Sequence, residues 1–227
     1  MVKVLLQKQW QVWYNGKKER EGKAMSYFLS ALMGYLLGCS NLAYWLAKWH
    51  QVDFRKGGSG NLGASNATVL LGWKAGVAVA LHDIGKAVLA VVLARLLFPE
   101  TENAGAAAGV AAVAGHVFPF YLKFRGGKGL ASFFGTVLAL NWKVGIVMGL
   151  ILVVITLVTD FIFLGTLTVS VAAPVGFFLI TGRVILPLIL AAASVVLICK
   201  HIENIRRLLN RTEIGLRSTI KGENRVK

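Results

Sequence analysis

Apolar stretches recur along this chain at lengths that a water-soluble domain does not tolerate. Seven can be marked, at residues 26–47, 73–98, 104–122, 130–142, 144–163, 167–180 and 184–199. A helix of about 20 apolar residues crosses the hydrocarbon core of a bilayer, and a shorter one serves where protein covers it. The first three stretches and the fifth are long enough. The fourth, sixth and seventh are short, and the fourth reads as a half-span or re-entrant piece. An open sheet edge cannot sit in lipid, so each stretch is expected to be helical. The expected fold class is an all-α integral membrane protein of about seven transmembrane helices, with its polar motifs at the cytoplasmic face.

Charge follows the same pattern. Of the 227 residues 56% are hydrophobic and 15% charged, yet the net charge is +15. The charges therefore cluster in the few polar segments. Lys48, Arg55, Lys56 and Lys74 follow the first stretch, and Lys123, Arg125 and Lys128 follow the third. Eight basic residues follow from Lys200 on. The alternate connections are poor in Lys and Arg. With seven spans all the rich segments share one side, which is the cytoplasmic side by the positive-inside rule. The N-terminal 24 residues conflict with this. They hold six Lys/Arg and two Glu, and seven spans place them outside. They have no apolar core and no cleavage site of a signal peptide. Residues 1–24 are thus set apart as a basic extension, 25–213 as the membrane domain and 214–227 as a basic cytoplasmic tail. Cys39 and Cys199 lie in apolar stretches without metal or disulfide spacing. No metal, cofactor or nucleic acid is expected.

Three polar motifs fall on the basic side. The first is Gly58-Ser59-Gly60-Asn61-Leu62-Gly63-Ala64-Ser65-Asn66. Its glycines allow tight turns, and free backbone N–H groups in such turns cradle anions. Ser59, Asn61 and Asn66 add side-chain donors. Gly58, Gly60 and Gly63 spell a dinucleotide fingerprint, but that fingerprint needs a preceding strand, and here an apolar helix precedes it. The second motif runs from His116 through Pro119 to Arg125-Gly126-Gly127-Lys128-Gly129. It sets cations beside backbone donors. It is not a Walker A loop, because Gly129 stands where Ser or Thr is required. The third is His201-Ile202-Glu203-Asn204, continuing through Arg207 to Glu213. On a helix His201, Asn204 and Arg207 share a face. Asp83 and Lys86 lie three apart within the second stretch, where ionisable residues default to a functional role. Either they pair with each other structurally or Lys86 helps hold the site's loops, and His82 points elsewhere.

Together these motifs resemble the bacterial acyl-phosphate-dependent glycerol-3-phosphate acyltransferases, the PlsY family. The family's Ser-Gly-Asn-x-Gly-Ala-Thr-Asn motif is similar to residues 59–66, with Ser65 in place of Thr. Its second and third motifs resemble residues 115–129 and 201–213, and its Asp-x-x-Lys pair resembles Asp83 and Lys86. The resemblance runs in order from about Met25 to Glu213. It implies transfer of a fatty acyl group from acyl phosphate to the 1-hydroxyl of glycerol 3-phosphate, giving lysophosphatidic acid and phosphate. The donor is a mixed anhydride, already activated, so no enzyme nucleophile is needed. Ser59, His116, Lys128 and Asn204 are the implied catalytic residues. Gly60, Asn61, Gly63, Asn66, Lys86, Lys123, Gly126, Gly127, His201, Arg207 and Glu213 are the implied substrate-binding ones. The base is either His116 or the donor's own phosphate. The first three spans would offer the acyl chain an apolar groove. Implied partners are the two substrates, membrane lipid and an enzyme that supplies acyl phosphate. The implied location is the bacterial inner membrane.

The chain departs from that pattern at three places. Val69 stands where the family usually has arginine. Asp160-Phe161-Ile162-Phe163 stands where it often has Arg-Tyr-Val-Ser, and Arg211 where the third motif has glycine. Two anion-binding groups are absent, and Asp160 adds a repelling charge. Lys56, Lys74 and Arg211 are candidates to compensate. Val69, Phe163 and Arg211 motivate one alternative, a non-catalytic lipid-binding paralogue; the basic glycine turns and the Asp83/Lys86 pair motivate another, a transporter of a phosphorylated solute.

Overall fold

The computed structural model describes residues 2–221, and among them every regular element is helical. Helix α1 (Val2–Cys39) carries the basic extension without a break into the first apolar stretch. That stretch was expected to continue to residue 47. It stops at Cys39 because the Asn41 side chain accepts the Tyr44 N–H at 2.9 Å and caps a new helix, α2 (Leu42–Trp49). Then come α3 (Ala64–Leu71), α4 (Trp73–Leu97) and α5 (Ala104–Val117). Pro119 follows α5, and a 3₁₀ turn covers Phe120–Leu122. The chain continues as α6 (Leu130–Leu140), α7 (Trp142–Thr159), α8 (Ile162–Thr181), α9 (Ile185–Lys200), α10 (Ile202–Leu209) and α11 (Leu216–Lys221).

Four segments are long and apolar enough to cross a bilayer: α4, Ala104–Leu122, α7 and α8. A fifth arises if α9 and α10, bent by 40°, are taken as one. The expected total of seven is not reached on length and composition. The apolar part of α1 ends early at Cys39. At 11 residues, α6 is only about 16 Å long, roughly half a hydrocarbon core. The half-length of the fourth stretch is thus as expected. Residues 222–227 of the expected tail lie outside the described residues.

Packing between helices uses small residues. Gly34 and Gly38 of α1 lie against the backbones of Ala108 and Ala112 of α5, and a Cβ on either glycine would overlap them. Small residues four apart let membrane helices approach closely, which strengthens dispersion contact where lipid removes the hydrophobic drive. Val113, Phe133, Val137, Val169, Leu190 and Leu197 form the core shared by α5, α6, α8 and α9. Outward residues of α7 such as Ile146, Leu150, Val153 and Leu157 are exposed, as suits a lipid-facing helix.

At one end of the bundle, Arg95 donates to the carbonyls of Ala139 and Leu140, and Arg183 pairs with Glu102. The other end gathers the polar motifs. There the Tyr35 hydroxyl donates to Phe118 O and the Tyr121 hydroxyl to Cys39 O, both at 2.8 Å. The Lys200 ammonium sits 4.6 Å from the centre of the Phe118 ring.

Candidate active site

The first motif folds around one buried asparagine. Asn66 accepts the Ser59 N–H at 2.8 Å and donates to Phe54 O and Asn61 O, each at 2.9 Å. Both amide hydrogens are thereby used. Asn66 was expected to donate to phosphate; it shapes the loop instead. Gly58 and Gly60 have φ of 56° and 70°, a region that favours glycine. The Gly60 N–H bonds to Gly57 O, so with Ser59 two of the expected free donors are committed. What the loop presents is the half-exposed Ser59 and Asn61, and the first turn of α3, whose N-cap Gly63 offers no side chain. Val69 is buried against this loop.

The second motif was also expected to hold free backbone donors. Its Gly126 and Gly127 N–H groups bond back to Val117 O and His116 O at 3.0 and 3.1 Å. The reason is a close approach. A Cβ at Gly127 would collide with His116 Nε2 and lie 2.9 Å from Leu62 O. The glycine turn therefore wedges between the His116 imidazole and the first loop, and brings the two motifs into contact. Arg55 reinforces this by donating to Leu122 O at 3.2 Å. Lys123 is exposed at the rim.

Lys128 leaves this turn and donates to Asn204 Oδ1 of the third motif. Asn204 in turn donates to Glu213 Oε1 at 2.6 Å, and Arg207 Nε donates to Glu213 Oε2 at 2.6 Å. Glu213, expected to touch substrate, holds Asn204 and Arg207. Burial and, after it, the nearby Arg207 push the Lys128 ammonium down to about 8, against the opposing pull of Glu213 and Glu203. His201 is buried at the end of α9, with Nδ1 2.7 Å from Leu197 O. A carbonyl only accepts, so Nδ1 carries the proton and Nε2 is the acceptor.

Behind His116 lies a polar cluster within the membrane helices. Asp83 Oδ1 is 2.7 Å from Lys86 Nζ and 3.3 Å from His116 Nδ1. Lys86 Nζ also donates to Ser40 O at 2.6 Å and lies 3.0 Å from His116 Nδ1. Lys86 thus supports His116 from behind and does not stand in the loops. His82 was expected to point elsewhere. Its Nδ1 is 3.4 Å from Asp83 Oδ1 and its Nε2 is 3.0 Å from Ser40 Oγ. A residue next to Asp83 on a helix reaches it here because both carboxylate and imidazole lean toward the break after α1. Ser40 gave no signal in the sequence beyond its place before the capping Asn41.

From this cluster a groove of about 950 Å³ runs between α1 and α4. Leu29, Leu32, Leu36, Leu89 and Phe98 line it, with Ser40, His82 and Lys86 at its polar end. Lys86 at that polar end is the residue that meets His116 Nδ1, 3.0 Å away.

Residues 28–211 match the family described as glycerol-3-phosphate acyltransferase. The chain is 35% identical over 205 residues to glycerol-3-phosphate acyltransferase 1 of Oceanobacillus iheyensis, covering 86% of this chain and 97% of the relative. It is 40% identical over 200 residues to the glycerol-3-phosphate acyltransferase of Thermoanaerobacter pseudethanolicus, covering 85% and 98%. The crystal structure of PlsY, an integral membrane glycerol 3-phosphate acyltransferase, in its glycerol 3-phosphate form superposes with a TM-score of 0.79 at 32% identity, covering 84% of this chain and 95% of PlsY. Its lysophosphatidic acid form gives 0.77 at 31% identity.

Proposed function

The chain belongs to the glycerol-3-phosphate acyltransferase family, and from that premise we propose that it draws its acyl group from acyl phosphate and delivers it to the 1-hydroxyl of glycerol 3-phosphate. The observation that carries the site assignment is the bond between Lys128 and Asn204, beside the turn that also touches His116 and Leu62. Three segments distant in sequence meet there, and each brings a group suited to a phosphate or an oxyanion.

In this reading Lys128, Ser59 and the first turn of α3 hold phosphate. Asn204 and His116 orient the reacting groups. The hydroxyl oxygen attacks the acyl carbon. A carbon–oxygen ester bond forms, the acyl carbon–phosphate oxygen bond breaks, and the hydroxyl proton goes to the departing phosphate. That phosphate has a second pKa of about 6, which suits a proton acceptor at neutral pH. The geometry around His116 favours phosphate over imidazole as the base. Lys86 Nζ is closer to Nδ1 than Asp83 Oδ1 is, 3.0 against 3.3 Å. An ammonium only donates, so Nδ1 accepts and Nε2 carries the proton toward the glycine turn. His116 is then a donor to the developing negative charge. The groove between α1 and α4 takes the acyl chain, with the carbonyl toward Lys86.

The basic loops around the motifs support a site facing the cytoplasm of a bacterial inner membrane. An enzyme that makes acyl phosphate would supply the donor. A transporter or non-catalytic lipid binder is the weaker reading, since the polar motifs gather at one end of the bundle and form one connected set.

The test offers purified protein acyl phosphate, acyl-CoA and acyl-carrier-protein in turn, each with glycerol 3-phosphate. Lysophosphatidic acid should form from acyl phosphate alone. Turnover with a thioester and none with acyl phosphate overturns the donor assignment.

A further inference from the structure

Asp160 stood out in the sequence as a misplaced negative charge. In the structure it ends α7 in the left-handed region, φ 70°, with its N–H bonded to Thr156 O at 2.8 Å. Its backbone carbonyl accepts the Leu216 N–H at 2.8 Å, and its Oδ1 accepts the Arg217 N–H at 2.9 Å. Arg217 Nη2 reaches back to Leu157 O at 3.2 Å. A Cβ at Gly215 would collide with Asp160 Oδ2. One residue thus engages three consecutive positions of a distant segment.

That segment is the strap carrying Glu213. Its near end is tied to α10, where Thr212 N–H bonds to Arg207 O at 2.8 Å. Its far end is tied to Asp160. Only Ile214 and Gly215 separate Glu213 from Leu216, so Glu213 lies within about 11 Å of the residue that is bonded to Asp160. Glu213 in turn holds Asn204 and Arg207, and Asn204 receives Lys128.

We infer that Asp160 is a positioning residue, which braces the Glu213 strap from α7 and so sets Asn204, Arg207 and Lys128 for the phosphate of glycerol 3-phosphate. This rests on the phosphate placement proposed above. A carboxylate gives the strap an acceptor for a backbone N–H and a partner for Arg217. Its negative charge is spent on the strap and does not face the substrate.

The experiment measures glycerol 3-phosphate affinity by calorimetry on the full chain in detergent, for wild type, Asp160→Ala, Asp160→Asn, Gly215→Ala and Lys128→Ala. Loss of one charge-assisted hydrogen bond from the strap should weaken binding about tenfold in Asp160→Ala. Asp160→Asn keeps an oxygen acceptor and should return to within about threefold of wild type. Gly215→Ala leaves Asp160 intact but drives the strap off it, and should behave like Asp160→Ala. A merely structural role would lower the unfolding temperature of both Asp160 variants without this rescue in affinity. If Lys128→Ala weakens binding and neither Asp160→Ala nor Gly215→Ala does, the strap proposal is overturned and the phosphate placement stands. If Lys128→Ala binds as wild type, the placement falls, and the proposal with it.

Discussion

Exchanging the Lys128 ammonium for a group that keeps its charge should move the alkaline limit of the reaction. The enclosed site holds this lysine at about 8, against an ordinary value of 10.5. Lysine is charged below its pKa. Phosphate binding through Lys128 is therefore intact at neutral pH and is lost as pH rises through about 8. The charged fraction falls from about nine-tenths at pH 7 to about 3% at pH 9.5, so kcat/KM should drop about 30-fold with unit slope. A bound phosphate dianion favours the charged lysine, so kcat should hold to higher pH than kcat/KM. Initial rates at constant ionic strength, with glycerol 3-phosphate varied and donor saturating, read both quantities. Lys128→Arg should turn over more slowly, since a planar fork does not fit the Asn204 oxygen as an ammonium does. It should nonetheless lose the alkaline limb over this range. Lys128→Ala removes a charged donor from a desolvated site, a loss of about 100- to 1,000-fold. A wild-type profile flat to about pH 9.5, or a limb unchanged in Lys128→Arg, refutes the assignment.

Two other substitutions test the scaffold. Gly127→Ala should lower kcat by about 100-fold, because its Cβ must displace His116 or the Leu62 carbonyl; turnover at the wild-type rate by folded protein contradicts that contact. Asp83→Asn leaves the buried Lys86 ammonium without its counter-charge and should destabilise the protein by about 3–5 kcal/mol. Thermal unfolding in detergent reads this, with Asp83→Asn/Lys86→Met expected to recover part of the loss. A wild-type unfolding temperature for the single variant shows that the pair is not holding the helices.

Helices were legible wherever hydrophobicity alone decides them, because lipid leaves the backbone no other choice. The second stretch is an instance: expected at residues 73–98, it is α4 at Trp73–Leu97. The first stretch was misjudged because Leu42, Ala43, Tyr44 and Trp45 keep hydropathy high past the break. The N-cap geometry of Asn41 is a local signal that an apolar window averages away. That the three motifs share one side followed from their charge and order; that they meet in space came only from the structure. So did what each residue does there. Asn66, Gly126 and Gly127 were expected to donate to phosphate, yet all three spend their hydrogen bonds within the protein. Which donors remain free is a property of packing between distant segments, and composition does not encode it. Asp160 shows the same limit: its charge was visible, and its partner, 57 residues away, was not.

The tight seam between α1 and α5 fixes which way the molecule can breathe. With Gly34 and Gly38 pressed on the alanine backbones opposite, α1 has no slack on that flank, whereas the groove leaves room between it and α4. A greasy tail would then slip in and out sideways from the bilayer along that groove, while water-borne headgroups come and go at the loops. In the proposed reaction, separate entries for tail and headgroup would let an amphiphilic product leave without lifting its chain out of lipid.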